Sequence, residues 1–193
     1  MHVEPIKYTP AVFLDRDGTI NEDVGYLRDT GQLTLIPGAV QAIQILNNCG
    51  FKVVVVTNQS GVARGYFREE FIGQIHDHLR AVLQRESAII DAFYYCPHHP
   101  TEGLPPYRKI CSCRKPETGM LIQATHDLHL DLSHSYMVGD KIQDIQAGKK
   151  AGVKTILVKT GYGCFIKEED IISDYVAQDL FSAAQWIANS ITK

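Results

Sequence analysis

Ala11-Val-Phe-Leu-Asp-Arg-Asp-Gly-Thr19 passes from an unbroken apolar run straight into a polar, glycine-bearing turn. That reads as a buried strand over 11–14 opening into a loop. Next come Pro37, apolar residues Ala39, Ala42, Ile43 and Leu46 at helical spacing, and Gly50 where a C-terminal cap belongs. Lys52-Val-Val-Val-Val-Thr57 has no polar interruption, as expected of a parallel strand covered on both faces. The alternation continues with a loop over 58–65, a helix over 68–84 with Phe71, Ile75, His78 and Val82 on one face, and a strand over 92–96. Beyond Pro116 it resumes with helices over 117–128, 142–151 and 180–190, and strands over 135–139, 153–158 and 175–177. Strands separated by helix-length crossovers predict an α/β fold with a mostly parallel sheet and helices on both faces. In such sheets ligands gather at the carboxyl ends of the strands, where Asp15, Thr57 and Asp140 fall.

The chain has 193 residues, 45% hydrophobic and 21% charged, the size and mixture of a single globular domain spanning 1–193 without repeats. Nineteen Lys and Arg against 22 Asp and Glu give a net charge of -3 with no basic block, which disfavours binding along a nucleic-acid backbone. No apolar run has the length of a membrane span, and the first ten residues carry Glu4, Pro5 and Lys7 in place of a signal-peptide core. The expected location is the cytoplasm. Walker A and Gly-x-Gly-x-x-Gly patterns are absent, so ATP hydrolysis and dinucleotide binding lack support.

Asp15 and Asp17 at one strand end and Asp140 at another bring three acids to the same rim, where they would repel each other without a cation. Hard oxygen ligands favour Mg²⁺. Taken alone, Asp-x-Asp-Gly is also an ordinary turn, Lys115 an ordinary surface lysine and Thr57 an ordinary strand end. A second cluster brackets the irregular stretch 97–115, which holds four prolines and is long for a plain connection. Cys96, His98, Cys111 and Cys113 offer the ligand set of a closed tetrahedral zinc site, with His99 an alternative to His98 and buried inert thiols the alternative to any metal. A zinc clip would hold shut a loop with little core of its own, a structural role rather than a catalytic one. Cys49 and Cys164 read as ordinary thiols.

Asp15-Arg-Asp-Gly-Thr19, Thr57, Lys115 and Gly139-Asp-Lys-Ile-Gln-Asp144 together resemble, in order, the four motifs of the haloacid dehalogenase superfamily of phosphotransferases. The resemblance extends from about Ala11 to Gly161. Within the superfamily, Asn21-Glu-Asp-Val-Gly-Tyr26, Ser60-Gly-Val-Ala-Arg-Gly65, Cys96-Pro-His-His-Pro100 and Cys111-Ser-Cys-Arg-Lys-Pro116 are similar to the zinc-loop heptose-bisphosphate phosphatases more than to the related histidinol-phosphate phosphatases. It implies a Rossmann-like domain without a large cap. It also implies that Asp15 is the nucleophile, Asp17 first acid and then base, and that Thr57 and Lys115 steady the phosphoryl group. Magnesium would be held by the side chains of Asp15 and Asp140 and the backbone carbonyl of Asp17, with Asp144 supporting Lys115 or the metal's water shell. Substrate contacts would come from Asp15, Arg16, Asp17, Asp23, Val24, Gly25 and Tyr26, from Thr57, Asn58, Gln59 and Ser60, and from Arg114, Lys115 and Lys141. The implied partner is a small phosphorylated sugar, met by a monomer with no nucleic acid or membrane involved. Competing readings are a zinc-stabilised module that binds phosphorylated ligands without catalysis, a phosphotransferase passing its phosphoryl group to a second substrate, and a nucleic-acid end-repair enzyme.

Overall fold

The computed structural model describes residues 8–191. The stretch that decided against a signal-peptide core falls chiefly on residues 1–7, outside the described ones. Among the described residues six strands form one sheet in the order β3-β2-β1-β4-β5-β6, with every neighbouring pair parallel. They are β1 (Thr9–Leu14), β2 (Lys52–Asn58), β3 (Ala92–Cys96), β4 (Leu130–Gly139), β5 (Lys154–Val158) and β6 (Tyr175–Ala177). The crossovers carry α1 (Ala39–Asn48), α2 (Glu70–Arg85), α3 (Gly119–Leu128) and α4 (Ile142–Ala151), and α5 (Leu180–Ile191) follows the last strand.

Period-two alternation divides the core. Val12, Leu14, Val53 and Val55 face α1, α2 and α5 through Ile43, Leu46, Leu79, Leu83 and Ala184. Ala11, Phe13, Val54 and Val56 face the other way, onto Met120, Leu121 and Ala124 of α3 and Ala147 of α4. Burial on both faces explains why β2 tolerates no polar residue between Lys52 and Thr57. The chain runs outward in opposite directions from β1, so the β1–β4 junction is the topological switch point.

Two expectations need correction. The buried face of α2 is Ile72, Ile75, His76, Leu79 and Leu83, while Phe71, His78 and Val82 are only half-buried. Strand β4 starts five residues earlier than expected, at Leu130. Its polar first half pairs with Thr9 and Pro10 across a register shift, and Ser135 Oγ fills the gap by accepting from Ala11 N at 2.8 Å. Among the described residues no helix is long and apolar enough to cross a membrane.

Candidate active site and metal centre

Asp15 follows the last residue of β1 and Asp140 the last of β4, neighbouring strands whose register brings Leu14 beside Val138. Their carboxylates, with that of Asp144 in the first turn of α4, lie within 4.8 Å of one another. All three residues are buried. Gly18, at φ +86°, lets the loop after β1 lie directly on Asp140, where a Cβ would collide with the carboxylate.

Lys115 penetrates this cluster from the end of the irregular loop. Its Nζ lies 2.9 Å from Asp15 Oδ1 and 2.7 Å from Asp144 Oδ1, and donates to Val56 O at 2.6 Å. Burial works against the ammonium, but Asp144 and Asp15 outweigh it and hold its pKa above the ordinary value. Asp144 also accepts from Lys141 N at 2.9 Å, closing the first turn of α4. Lys115 within the cluster and Lys141 at its edge, 3.9 Å from Asp140 Oδ1, set two ammoniums against three acids. Burial, then the charge of Asp15, pushes Asp140 up to about 8, and Asp140 Oδ1 is a buried oxygen with no hydrogen-bond partner. An orphaned carboxylate oxygen among crowded hard donors fits a small divalent cation.

Asp17 points away from the acid cluster. Arg16 grips both of its oxygens at 2.7–2.9 Å, Asn21 Nδ2 donates to Oδ1 at 2.9 Å, and Gln59 Nε2 donates to Oδ2 at 2.8 Å. Burial alone would raise this carboxyl, but Arg16, Asn21 and Gln59 prevail and hold it below the usual range. Gln59 Nε2 also lies 2.9 Å from Thr57 Oγ1, so one amide positions residues from two motifs.

Above these groups opens a cavity of about 540 Å³. Twelve of the expected substrate residues line it: Asp15, Asp17, Asp23, Gly25, Tyr26, Thr57, Asn58, Gln59, Ser60, Arg114, Lys115 and Lys141. Two do not. Arg16 is buried behind Asp17 with its guanidinium spent on that carboxylate, and Val24 turns to solvent, 52% exposed. Lys141 Nζ pairs with Asp23 Oδ2 at 3.0 Å and fastens the 23–26 loop to the end of β4. Asp140 lies just beneath the cavity floor and contributes none of its lining. Sequence reasoning missed Tyr162, Phe165 and Ile166, which also line the cavity. Their position just past the carboxyl end of β5 was the available signal.

Cys96 at the end of β3 meets Cys111, Cys113 and His98 from the irregular loop. Sulfur separations are 3.1 Å (Cys96–Cys113), 3.3 Å (Cys111–Cys113) and 3.5 Å (Cys96–Cys111), and His98 Nδ1 lies 3.4–3.6 Å from Cys113 and Cys96. A tetrahedron with metal–sulfur bonds of about 2.3 Å has edges of roughly 3.7 Å, so this donor set could hold a zinc with a small outward relaxation. His99 is excluded as the ligand by its own contacts: Nδ1 accepts from Thr101 N and Glu102 N, and Nε2 faces Arg64. Two clamps tie the loop to the catalytic edge. Asn58 exchanges both amide bonds of its side chain with the backbone of Lys115, at 3.0 Å each, and Arg64 pairs with Glu102. Arg114 donates to His98 O at 3.0 Å, which aims its side chain along the cavity wall.

A family model described as HAD-hydrolase-like matches residues 112–183. The D-glycero-beta-D-manno-heptose-1,7-bisphosphate 7-phosphatase of Salmonella typhi is 42% identical over 186 residues, 96% of this chain and 93% of its own. That of Pasteurella multocida is 49% identical over 152 residues, covering 78% and 82%. A crystal structure of the D,D-heptose 1,7-bisphosphate phosphatase of B. bronchiseptica, complexed with magnesium and phosphate, superposes with a TM-score of 0.81 at 33% identity, covering 94% of this chain and 99% of that one.

Proposed function

The chain belongs to the D-glycero-beta-D-manno-heptose-1,7-bisphosphate 7-phosphatases, haloacid dehalogenase-like phosphomonoester hydrolases, and from that premise we propose that it removes the 7-phosphate through an aspartyl-phosphate. The observation that carries the mechanism is the pairing of Asp15 with a buried lysine at the base of a polar cavity, while a second acid, Asp17, is held separately at its side.

In this reading an Asp15 oxygen attacks phosphorus, and the bond from phosphorus to the C7 oxygen breaks. Asp17 gives its proton to the departing sugar oxygen, then takes one from the water that cleaves the aspartyl-phosphate. In the free protein Arg16, Asn21 and Gln59 favour the ionised form of Asp17, and the negative charge of an arriving phosphate works in the opposite direction. Lys115 and the Thr57 hydroxyl face the phosphoryl oxygens, and Asp144 keeps Lys115 in place. Mg²⁺ bound by Asp15, Asp140 and the Asp17 carbonyl would supply the positive charge that lets two anionic groups approach. Its presence in the B. bronchiseptica relative and the orphaned Asp140 oxygen support that assignment.

Arg114, Lys141 and the 23–26 loop would hold the rest of the sugar phosphate. Zinc at Cys96, His98, Cys111 and Cys113 would be structural, and a reducing cytoplasm would keep those thiolates available to it. We read residues 1–193 as one domain acting as a monomer on a small phosphorylated sugar, independent of nucleic acid and membranes. The product, a heptose 1-phosphate, would serve the synthesis of nucleotide-activated heptose. The test is magnesium-dependent phosphate release from both anomers of D-glycero-D-manno-heptose 1,7-bisphosphate, with histidinol phosphate in parallel. Strong preference for one heptose anomer is expected. Preference for histidinol phosphate would overturn the substrate and keep the chemistry.

A further inference from the structure

The turn over 161–165 presents two aromatic rings at the cavity mouth that the catalytic steps leave unused. Tyr162 is 55% exposed and Phe165 is 80% exposed, yet both line the cavity. Exposed rings on a segment this well fastened call for an occupant. Tyr162 N donates to Asp140 Oδ2 at 2.8 Å, Thr160 Oγ1 to Gly18 O at 2.6 Å, and Lys159 Nζ to Ile166 O at 3.1 Å. The turn is thereby bolted to both the acid cluster and the loop after β1. Lys141 Nζ, already paired with Asp23, lies 4.9 Å from the centre of the Tyr162 ring. A continuous chain of contacts therefore runs from the 23–26 loop through Lys141 to the aromatic turn, setting exposed rings beside charged groups in one cavity lining.

We propose that Phe165 and Tyr162 form a specificity-determining wall that packs against the apolar C–H face of the sugar ring while the phosphate at the end of its side arm reaches Asp15. The proposal rests on the phosphatase reading above and adds to it the feature that selects a ring-bearing phosphate. A sugar ring has hydroxyl edges and comparatively apolar faces, so a cavity lined by both charged groups and exposed aromatic rings matches both. A small acyl phosphate reaches the acids without touching the wall.

Phe165 is the cleaner residue to change, because the Tyr162 ring also supports Lys141. The experiment compares kcat and KM for heptose 1,7-bisphosphate and for acetyl phosphate in the wild type, Phe165→Ala and Phe165→Tyr. Phe165→Ala is expected to lower the ratio of kcat/KM for the sugar over acetyl phosphate about fivefold or more, mainly through KM. Phe165→Tyr, which keeps a ring, should restore the ratio. An unchanged ratio, whether both substrates suffer equally or neither does, would overturn the wall while leaving the phosphatase reading intact. A wild type active on acetyl phosphate and inactive on the bisphosphate would instead bring down the substrate assignment and the wall together.

Discussion

His76 is a histidine that the fold cannot protonate cheaply. It sits on the buried face of α2, 5% exposed, stacked on Phe93 with ring centres 4.6 Å apart and edge-on to Tyr95 at 5.9 Å. Its Nε2 has no hydrogen-bond partner. Burial first, then the charge of Arg16, pulls its pKa from 6.5 down to about 3, with Arg80 adding to the fall and Asp17 opposing it. Between pH 3 and 6.5 the unfolded chain binds a proton that the folded chain refuses, so stability is full above 6.5 and declines as pH falls through that window. From pH 7 to pH 5 the loss from this one residue is about 2 kcal/mol, a figure that holds for any folded pKa below about 4. His76→Phe keeps an aromatic ring of similar size and removes the proton site. Urea unfolding of both proteins at pH 7 and pH 5, followed through Trp186, checks this. The wild type should lose about 2 kcal/mol more than the variant, close to 1 M in midpoint at a slope of about 2 kcal/mol/M. Every other titrating group is common to the two proteins. Parallel losses would refute the assignment of acid sensitivity to His76.

Asp15→Asn is nearly isosteric and cannot form an acyl phosphate, so phosphate release should fall below detection while the far-ultraviolet circular dichroism is kept; wild-type turnover would remove Asp15 from its role. Elemental analysis of the purified protein should find close to one zinc per chain, and Cys111→Ser should lower both the zinc content and the thermal midpoint. A metal-free protein of undiminished stability would dispose of the zinc site. Gly103 has φ +88° and lies so near Ala63 O that a Cβ would overlap it, so Gly103→Ala should cost more than about 1 kcal/mol in urea unfolding and loosen the loop's hold on residues 58–65.

The parallel sheet was legible because Ala11 to Leu14, Val53 to Val56 and Ile156 to Val158 are unbroken apolar runs, and the acid cluster because Asp15 and Asp140 stand at strand ends, with Asp144 in the first turn of α4 beside them. The start of β4 was not, since Asp131, Ser133 and His134 are polar and their strand geometry comes from pairing with Thr9 and Pro10. On α2, periodicity measured the spacing but not the direction of the sheet. Phe71 packs on Phe67 at 5.5 Å instead of entering the core, and His76, a polar letter, takes a core position. Among site residues the cysteine cluster was readable from ligand chemistry, whereas the choice between His98 and His99 required the contacts of each ring. Arg16 was named with its sequence neighbours in the site, while its guanidinium is engaged with Asp17 from behind. Tyr162 and Phe165 carry no charge and belong to no recognised motif, so only the position of β5 in the sheet reveals them.

The irregular stretch between β3 and Lys115 is anchored at both ends, by Cys96 within the sheet and by the double amide bond between Asn58 and Lys115. Lys115 is therefore held in place by its own clamp, whatever the length of chain between the two anchors. Doubling the length of a flexible loop whose ends are already fixed costs only about 0.6 kcal/mol. Segments between His99 and Ile110 could be lengthened, shortened or exchanged without shifting the lysine, provided the Cys96, His98, Cys111 and Cys113 cluster, Gly103 and the Arg64–Glu102 pair remain. Residues 99–110 lie outside the cavity lining, so this stretch can vary as an insert while the lysine keeps its place.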